Sequence, residues 1–234
     1  NLARAVFVAL LCASSGVASA ALLHPASPLG GPVRRTGGPA ALTFDDGPDP
    51  EWTPRVLDAL DRAGVRATFF VLGDQLERAP ELVQAAARAG HRIELHGLTH
   101  RAASFQAPGA LASDLARLGD RVEGLTGRRP RGYRFPAWDL TPHSVGLLLK
   151  HGFVYDSSMM GHDYLPYQAR SGDRITLQEP MEFGPDTALV EMPISWSLDD
   201  YPHFEYTRSP AGILPGNANA RLVIENFINE FRYM

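Results

Sequence analysis

Cysteine is almost missing from this chain of 234 residues, with Cys12 as its one representative. Cys12 falls in an N-terminal stretch that reads as a removable leader. The mature protein is therefore expected to have no thiol, which excludes a disulfide framework and thiol catalysis. A surplus of positive charge is also missing. Lys and Arg number 22 against 26 Asp and Glu, a formal net charge of -4. The clustered basic footprint of a nucleic-acid binder is absent, so nucleic acid is not an expected partner. Long apolar runs are lacking too. The longest near the N-terminus, "AVFVALLC" from Ala5 to Cys12, is too short to span a bilayer, so no stable membrane insertion is expected. No short internal repeat or low-complexity tract stands out beyond one Gly/Pro-rich segment.

The hydrophobic content is 44%, enough for one sizeable domain with its own core. The apolar stretch after Arg4 is followed by small residues ending in Ala18-Ser19-Ala20. This is the pattern of a secretory signal with an A-x-A cleavage site, assigning residues 1–20 to a signal peptide and the protein to the periplasm or the extracellular space. If the segment is instead an apolar helix that stays attached, the protein is cytoplasmic. Residues 21–39, "ALLHPASPLGGPVRRTGGP", read as a linker, and residues 40–234 as the catalytic domain.

From residue 40 onward, apolar strands alternate with amphipathic helices. "ALTFDD", "RATFFVLG", "HRIELHG", "GYRFP", "FVYDSS" and "ALVEMPISW" read as strands. "EWTPRVLDALDRAG", "PELVQAAARAG", "GALASDLARLGDRVEGLTG" and "TPHSVGLLLKHG" read as helices, three of them ending at Gly64, Gly90 and Gly152. This alternation implies an α/β fold with a parallel sheet, a (β/α) barrel first and a doubly wound open sheet second. Both place function at the C-terminal ends of strands, where Asp45, Asp46 and His96 fall and near which Arg134 and Asp156 lie.

Two features carry chemistry. Asp45 and Asp46 end the first strand as adjacent like charges. Taken alone, they are equally readable as a turn or helix cap before Gly47-Pro48. In "ELHGLTH", His96 and His100 are four residues apart, which predicts two imidazoles on one face of a helical turn, within about 2.0–2.1 Å of a single ion. Arg134, by itself, reads equally well as a structural ion pair. An acidic pair at a strand end also occurs in magnesium-binding receiver domains, which lack such a histidine pair.

"TFDDGP", "HGLTH" and "YRFP" occur in the order and approximate spacing of the polysaccharide deacetylase family, and residues 40–234 resemble it. The family is also named for the NodB homology domain and as carbohydrate esterase family 4. The resemblance implies a distorted (β/α) barrel and metal-dependent removal of acyl groups from amides. It matches Asp46, His96 and His100 to the metal ligands, Asp45 to the catalytic base and Arg134 to the arginine that orients the base. The metal implied is Zn2+, with Co2+, Ni2+ or Mn2+ tolerated by the same triad. "GFVYDSSMMGHDYLPY" and "LVEMPISWSLDDYPHF" resemble the branch holding peptidoglycan-deacetylase-like proteins and their relatives acting on small cyclic amides.

The expected activity is hydrolysis of N-acetyl groups on glycans such as peptidoglycan. The alternatives are a C–N hydrolase of small cyclic amides or imides, and a non-catalytic glycan-binding module. Pro136, Trp138, Asp156, Trp196 and Asp199 are the candidate substrate-binding residues. Trp138, Tyr155, Trp196, Tyr201 and Phe204 read either as a sugar-binding rim or as ordinary packing. The family's late Leu-x-His histidine, which protonates the leaving amine, has no match. The barrel is therefore expected to be incomplete at its C-terminus, unless His203 or another residue substitutes. The sequence sets no oligomeric state.

Overall fold

The computed structural model describes residues 8–12, 40–162, 164–204, 207–209, 212–214 and 219–233. The expected linker and the cleavage site after Ala20 lie outside the described residues. The chain runs β1 (Val8–Cys12), β2 (Ala40–Phe44), α1 (Trp52–Ala63), β3 (Ala67–Val71), α2 (Gly73–Arg78), α3 (Pro80–Arg88), β4 (Arg92–Leu95), α4 (Pro108–Thr126), β5 (Gly132–Tyr133), α5 (Ser144–Lys150) and β6 (Tyr155–Asp156). It continues with β7 (Tyr167–Arg170), β8 (Asp186–Glu191), α6 (Tyr201–Phe204), β9 (Thr207–Ser209), β10 (Gly212–Leu214) and α7 (Ala220–Tyr233).

One eight-stranded sheet has the order β1-β2-β3-β4-β5-β6-β8-β7. Its interior, β2 to β6 and then β8, is parallel throughout, while β1 and β7 pair antiparallel at the two edges. Each parallel step moves the same way across the sheet. With right-handed crossovers, such a progression keeps the helices on one face and curls the sheet. A doubly wound sheet would reverse direction at a switch point, and this one does not. The architecture is the distorted, partial barrel expected, with β1 and β7 unpaired to one another among the described residues.

The helices are built as their patterns predict. In α4, Leu111, Leu115, Leu118 and Val122 are buried at helical spacing and pack with Val83 and Ala86 of α3 and with Phe69, Ile93 and Leu95 of the sheet. Gly64, after α1, and Gly127, after α4, adopt left-handed caps. The Asp49 carboxylate accepts the Glu51 and Trp52 amides at 2.8 Å each, so the loop after β2 itself starts α1. In α7, Val223 is buried but Ile228 is exposed, although "NFINEFRYM" reads from its sequence as a helix with Phe227, Ile228 and Phe231 on one side; the Phe231 side chain lies outside the described residues. No helix among the described residues is long and apolar enough to cross a membrane.

Candidate active site

Strand periodicity places the first charges. Thr43 and Asp45 are two apart in an extended chain, so their side chains share a face. Both receive the same donor: Arg134 Nη1 lies 3.0 Å from Thr43 Oγ1 and 2.8 Å from Asp45 Oδ1. Asp46 then leaves the strand with φ 67°, a left-handed conformation that aspartate tolerates better than most residues. That turn keeps at one site two neighbouring carboxylates that a continuing strand would send to opposite faces. Asp45 goes to the buried guanidinium, while Asp46 goes to the histidines.

His96 follows β4 directly. Its Nδ1 donates to the Arg134 carbonyl at 2.7 Å, which leaves Nε2 with the lone pair. Nε2 points at Asp46 Oδ1, 3.4 Å away, and His100 Nε2 lies 3.6 Å from the same oxygen. The three ligand atoms all fall within 4.8 Å of one another. Two neutral imidazoles and one carboxylate, with the tautomer of the first already set by a backbone acceptor, fit a divalent cation with open positions for water or substrate. The helical turn predicted between the histidines is absent. Residues 98–100 bend instead, and Gly97 sits at φ 89°. A Cβ there would meet Pro136 Cγ at 3.3 Å and Tyr133 Oη at 3.4 Å, so the chain reverses where only glycine fits. The bend is held from outside by the first amides of α2: Gly73 N donates to Gly97 O at 2.9 Å and Asp74 N to Leu98 O at 2.8 Å.

Arg134 is 1% exposed, and its guanidinium contacts are specified on several sides. Besides Thr43 and Asp45, Nε donates to the Ser157 carbonyl at 2.8 Å and Nη2 to Ser157 Oγ at 2.6 Å. The guanidinium carbon stands 4.4 Å from the Phe70 ring centre. A buried charge of this kind is tolerable only when paired and fully hydrogen-bonded, and here the pair is Asp45. Burial disfavours a charged His96, but the Asp45 charge and the bonded Asp46 carboxylate outweigh it, so its pKa is raised.

A cleft of about 240 Å³ opens over these groups, lined by Asp45, His96, His100, Ala137, Trp138, Trp196 and Tyr201. Ala137 and Trp138 both have left-handed backbones, φ 56° and 52°. Strain of this kind in non-glycine residues concentrates at functional sites. The turn sets Trp138 edge-on to Trp196, with ring centres 4.8 Å apart.

The predicted site residues separate into two groups. Asp45, Asp46, His96, His100 and Arg134 come together, and Trp138 and Trp196 line the cleft beside them. Pro136 is buried beneath the Gly97 bend. Asp199 is buried too, and its Oδ1 accepts the Tyr201 amide at 2.8 Å. Burial, and then the Asp45 charge, push the Asp199 carboxyl up to about 7. Asp156 is fully buried and turned to Ser158, away from a substrate-binding role. Of the aromatic candidates, Tyr155 packs edge-on against Phe70, whereas Tyr201 reaches the cleft. His203 packs against Phe227 at 5.9 Å and is not among the cleft's lining residues. Thr43, Ser157, Ser158 and Glu191 were not singled out from sequence. A serine or threonine in or just past a strand carries no local mark of the arginine it will meet.

The sequence profile of the polysaccharide deacetylase family matches residues 33–155, more than half of the chain. A peptidoglycan deacetylase of Helicobacter pylori is 33% identical over 159 residues, covering 64% of this chain and 54% of that protein. The peptidoglycan deacetylase-like protein FGM2 of Gibberella zeae is 30% identical over 178 residues, covering 71% of this chain and 51% of that protein. A crystal structure of a polysaccharide deacetylase candidate from Mycobacterium smegmatis aligns with a TM-score of 0.62 at 33% identity, over 77% of this chain and 58% of that one. The chain thus spans about half the length of the curated relatives it matches.

Proposed function

The chain belongs to the polysaccharide deacetylase family, and from that premise we propose that it hydrolyses N-acetyl groups on a glycan of the peptidoglycan class, with Zn2+ as the metal. The observation that carries the reading is one continuous set of contacts. Asp46 faces both histidines, and its neighbour Asp45 is held by Arg134 at the edge of the same cleft.

In this reading Asp46, His96 and His100 hold the ion. A bound divalent cation would polarise the amide carbonyl and lower the pKa of water. Asp45 removes the proton from the attacking water with one oxygen while the other stays on Arg134. Arg134 holds that carboxylate in orientation by a charge-assisted bond. Trp138 and Trp196 offer flat apolar surface for a pyranose ring, and Tyr201 extends the same wall, its backbone held from behind by the buried Asp199. The relatives' names support the substrate class: the Helicobacter pylori protein is a peptidoglycan deacetylase. Peptidoglycan lies outside the cytoplasm, where residues 1–20 acting as an export signal would direct the chain, with 21–39 as a linker; cleavage after Ala20 would remove β1 and leave β2 as the sheet edge.

The test is acetate release from N-acetylated peptidoglycan by the zinc-loaded protein. Asp45→Asn is expected to lower kcat by about 10²–10⁴-fold, the usual cost of a lost general base, while zinc still binds. Undiminished acetate release by that variant would overturn the assignment of the base.

A further inference from the structure

Asp156 ends β6 and Glu191 ends β8, directly opposite one another in the parallel register. Both side chains are 0% exposed. Each carboxyl commits one oxygen to the same serine turn. Asp156 Oδ1 accepts the Ser158 hydroxyl at 2.9 Å, and Glu191 Oε1 accepts the backbone N–H groups of Ser158 and Met159 at 2.8 Å each. The remaining oxygens, Asp156 Oδ2 and Glu191 Oε2, have no donor among the described residues. The two carboxyls face each other within hydrogen-bonding reach, and burial raises both above the ordinary carboxylate range. Two ionised carboxylates so placed would repel in a dry interior. A single proton shared between them satisfies both oxygens. The other charged and titratable groups facing the pair are Arg134 and Tyr133 from the β5 side and Tyr167 from β7.

The turn held by this pair is the seat of the arginine. The Ser157 carbonyl and hydroxyl oxygens accept Arg134 Nε and Nη2, and the same hydroxyl donates to the Met192 carbonyl at 2.8 Å. Ser158 Oγ accepts the Phe135 amide at 2.9 Å, tying the turn to the backbone beside Arg134. We infer that Asp156 and Glu191 are positioning residues for the catalytic base: they fix the Ser157–Ser158 turn, the turn fixes the Arg134 guanidinium, and the guanidinium fixes the Asp45 carboxylate. This rests on the deacetylase reading and extends it two steps behind the cleft.

The test uses the zinc-loaded full chain and two measurements, only one of which needs turnover. In Glu191→Ala, and in Glu191→Asp, which keeps the carboxyl but withdraws it by one methylene, the Arg134 Nε–H followed by NMR is expected to exchange about tenfold faster, through local opening. kcat on acetylated glycan is expected to fall by about 10–100-fold, with KM and zinc affinity nearly unchanged, as for other outer-layer supports of a site. Glu191→Gln, whose amide can donate to Asp156 while its oxygen still accepts the turn amides, is expected to restore both. Wild-type protection of the Arg134 Nε–H in folded Glu191→Ala or Glu191→Asp overturns the inference. A wild-type protein that releases no acetate overturns the deacetylase reading instead, and the exchange measurement still decides the positioning role.

Discussion

Glu94 and His96 lie two residues apart, on and just beyond β4, and both are buried, yet their surroundings differ in kind. Glu94 Oε2 accepts the Arg131 and Gly132 amides at 2.7 Å each, and the Tyr155 hydroxyl also bonds to its side chain. The only cavity it borders among those described is about 40 Å³, room for a few waters and no sugar ring. His96 meets a carboxylate, a second imidazole and a fixed backbone acceptor, beneath a cleft of about 240 Å³. Both groups have raised pKa values. The shift alone therefore does not mark a site. What distinguishes His96 is that its partners are themselves ligands and that the space beside it can admit a substrate. Glu94 spends its charge on orphan amides at the start of β5, which is a folding task.

Breaking the charge pair beneath the cleft should have the largest effect. Arg134→Met leaves Asp45 buried at 6% exposure with no cation, and is expected to cost about 3–5 kcal/mol in urea unfolding. Adding Asp45→Asn should recover part of that loss; if it recovers none, the two residues are not coupled as the geometry implies. Next comes the contrast between the two β4 groups. His96→Ala should weaken cobalt or zinc binding by more than about 100-fold, beyond the range of outer-layer changes, whereas Glu94→Ala should leave metal affinity within a few-fold. Equal losses by calorimetry would erase the distinction. Glu94→Ala should instead act on stability, by about 1–3 kcal/mol for buried donors left without an acceptor.

The narrowest effect, confined to one pH window, concerns Asp199. Its folded-state pKa is raised to about 7, so between the ordinary carboxylate value and neutrality the folded chain holds a proton that the unfolded chain has released. That contribution is whole at pH near 4 and below, and is lost as the pH rises to about 7. Asp199→Asn should flatten this part of the stability profile in the metal-free protein, measured by thermal melts across the range. An unchanged slope would mean Asp199 titrates as an ordinary surface carboxylate.

Legibility followed the range of the interaction. The helices of this chain were readable because a 3.6-residue period is local, as in Leu111, Leu115, Leu118 and Val122. Asp45, Asp46, His96, His100 and Arg134 were readable as motif residues, and the tertiary structure joins them. The expected helical turn between the histidines is replaced by a bend in which Gly97 takes φ 89°. A Cβ there would crowd the Thr99 carbonyl within the bend and also Pro136 and Tyr133, more than thirty residues on. Short α2 and strand β7 escaped notice because neither carries a full period of apolar residues.

Asp156 shows most clearly where sequence reading stops. A charged residue at a strand end near a site reads as a substrate contact, and nothing local says that a carboxylate from β8 will stand opposite it. The sequence by itself determined the alternation of strands and helices, the paired aspartates at the end of β2 and the chemistry that a histidine couple could supply. The family resemblance had paired Asp46 with the imidazoles and Asp45 with the guanidinium; only the tertiary structure supplied the contacts themselves and decided that Asp156 is sealed against Glu191. Those outcomes depend on strand register and sheet curl, which bring together residues dozens of positions apart and leave no periodic trace along the chain.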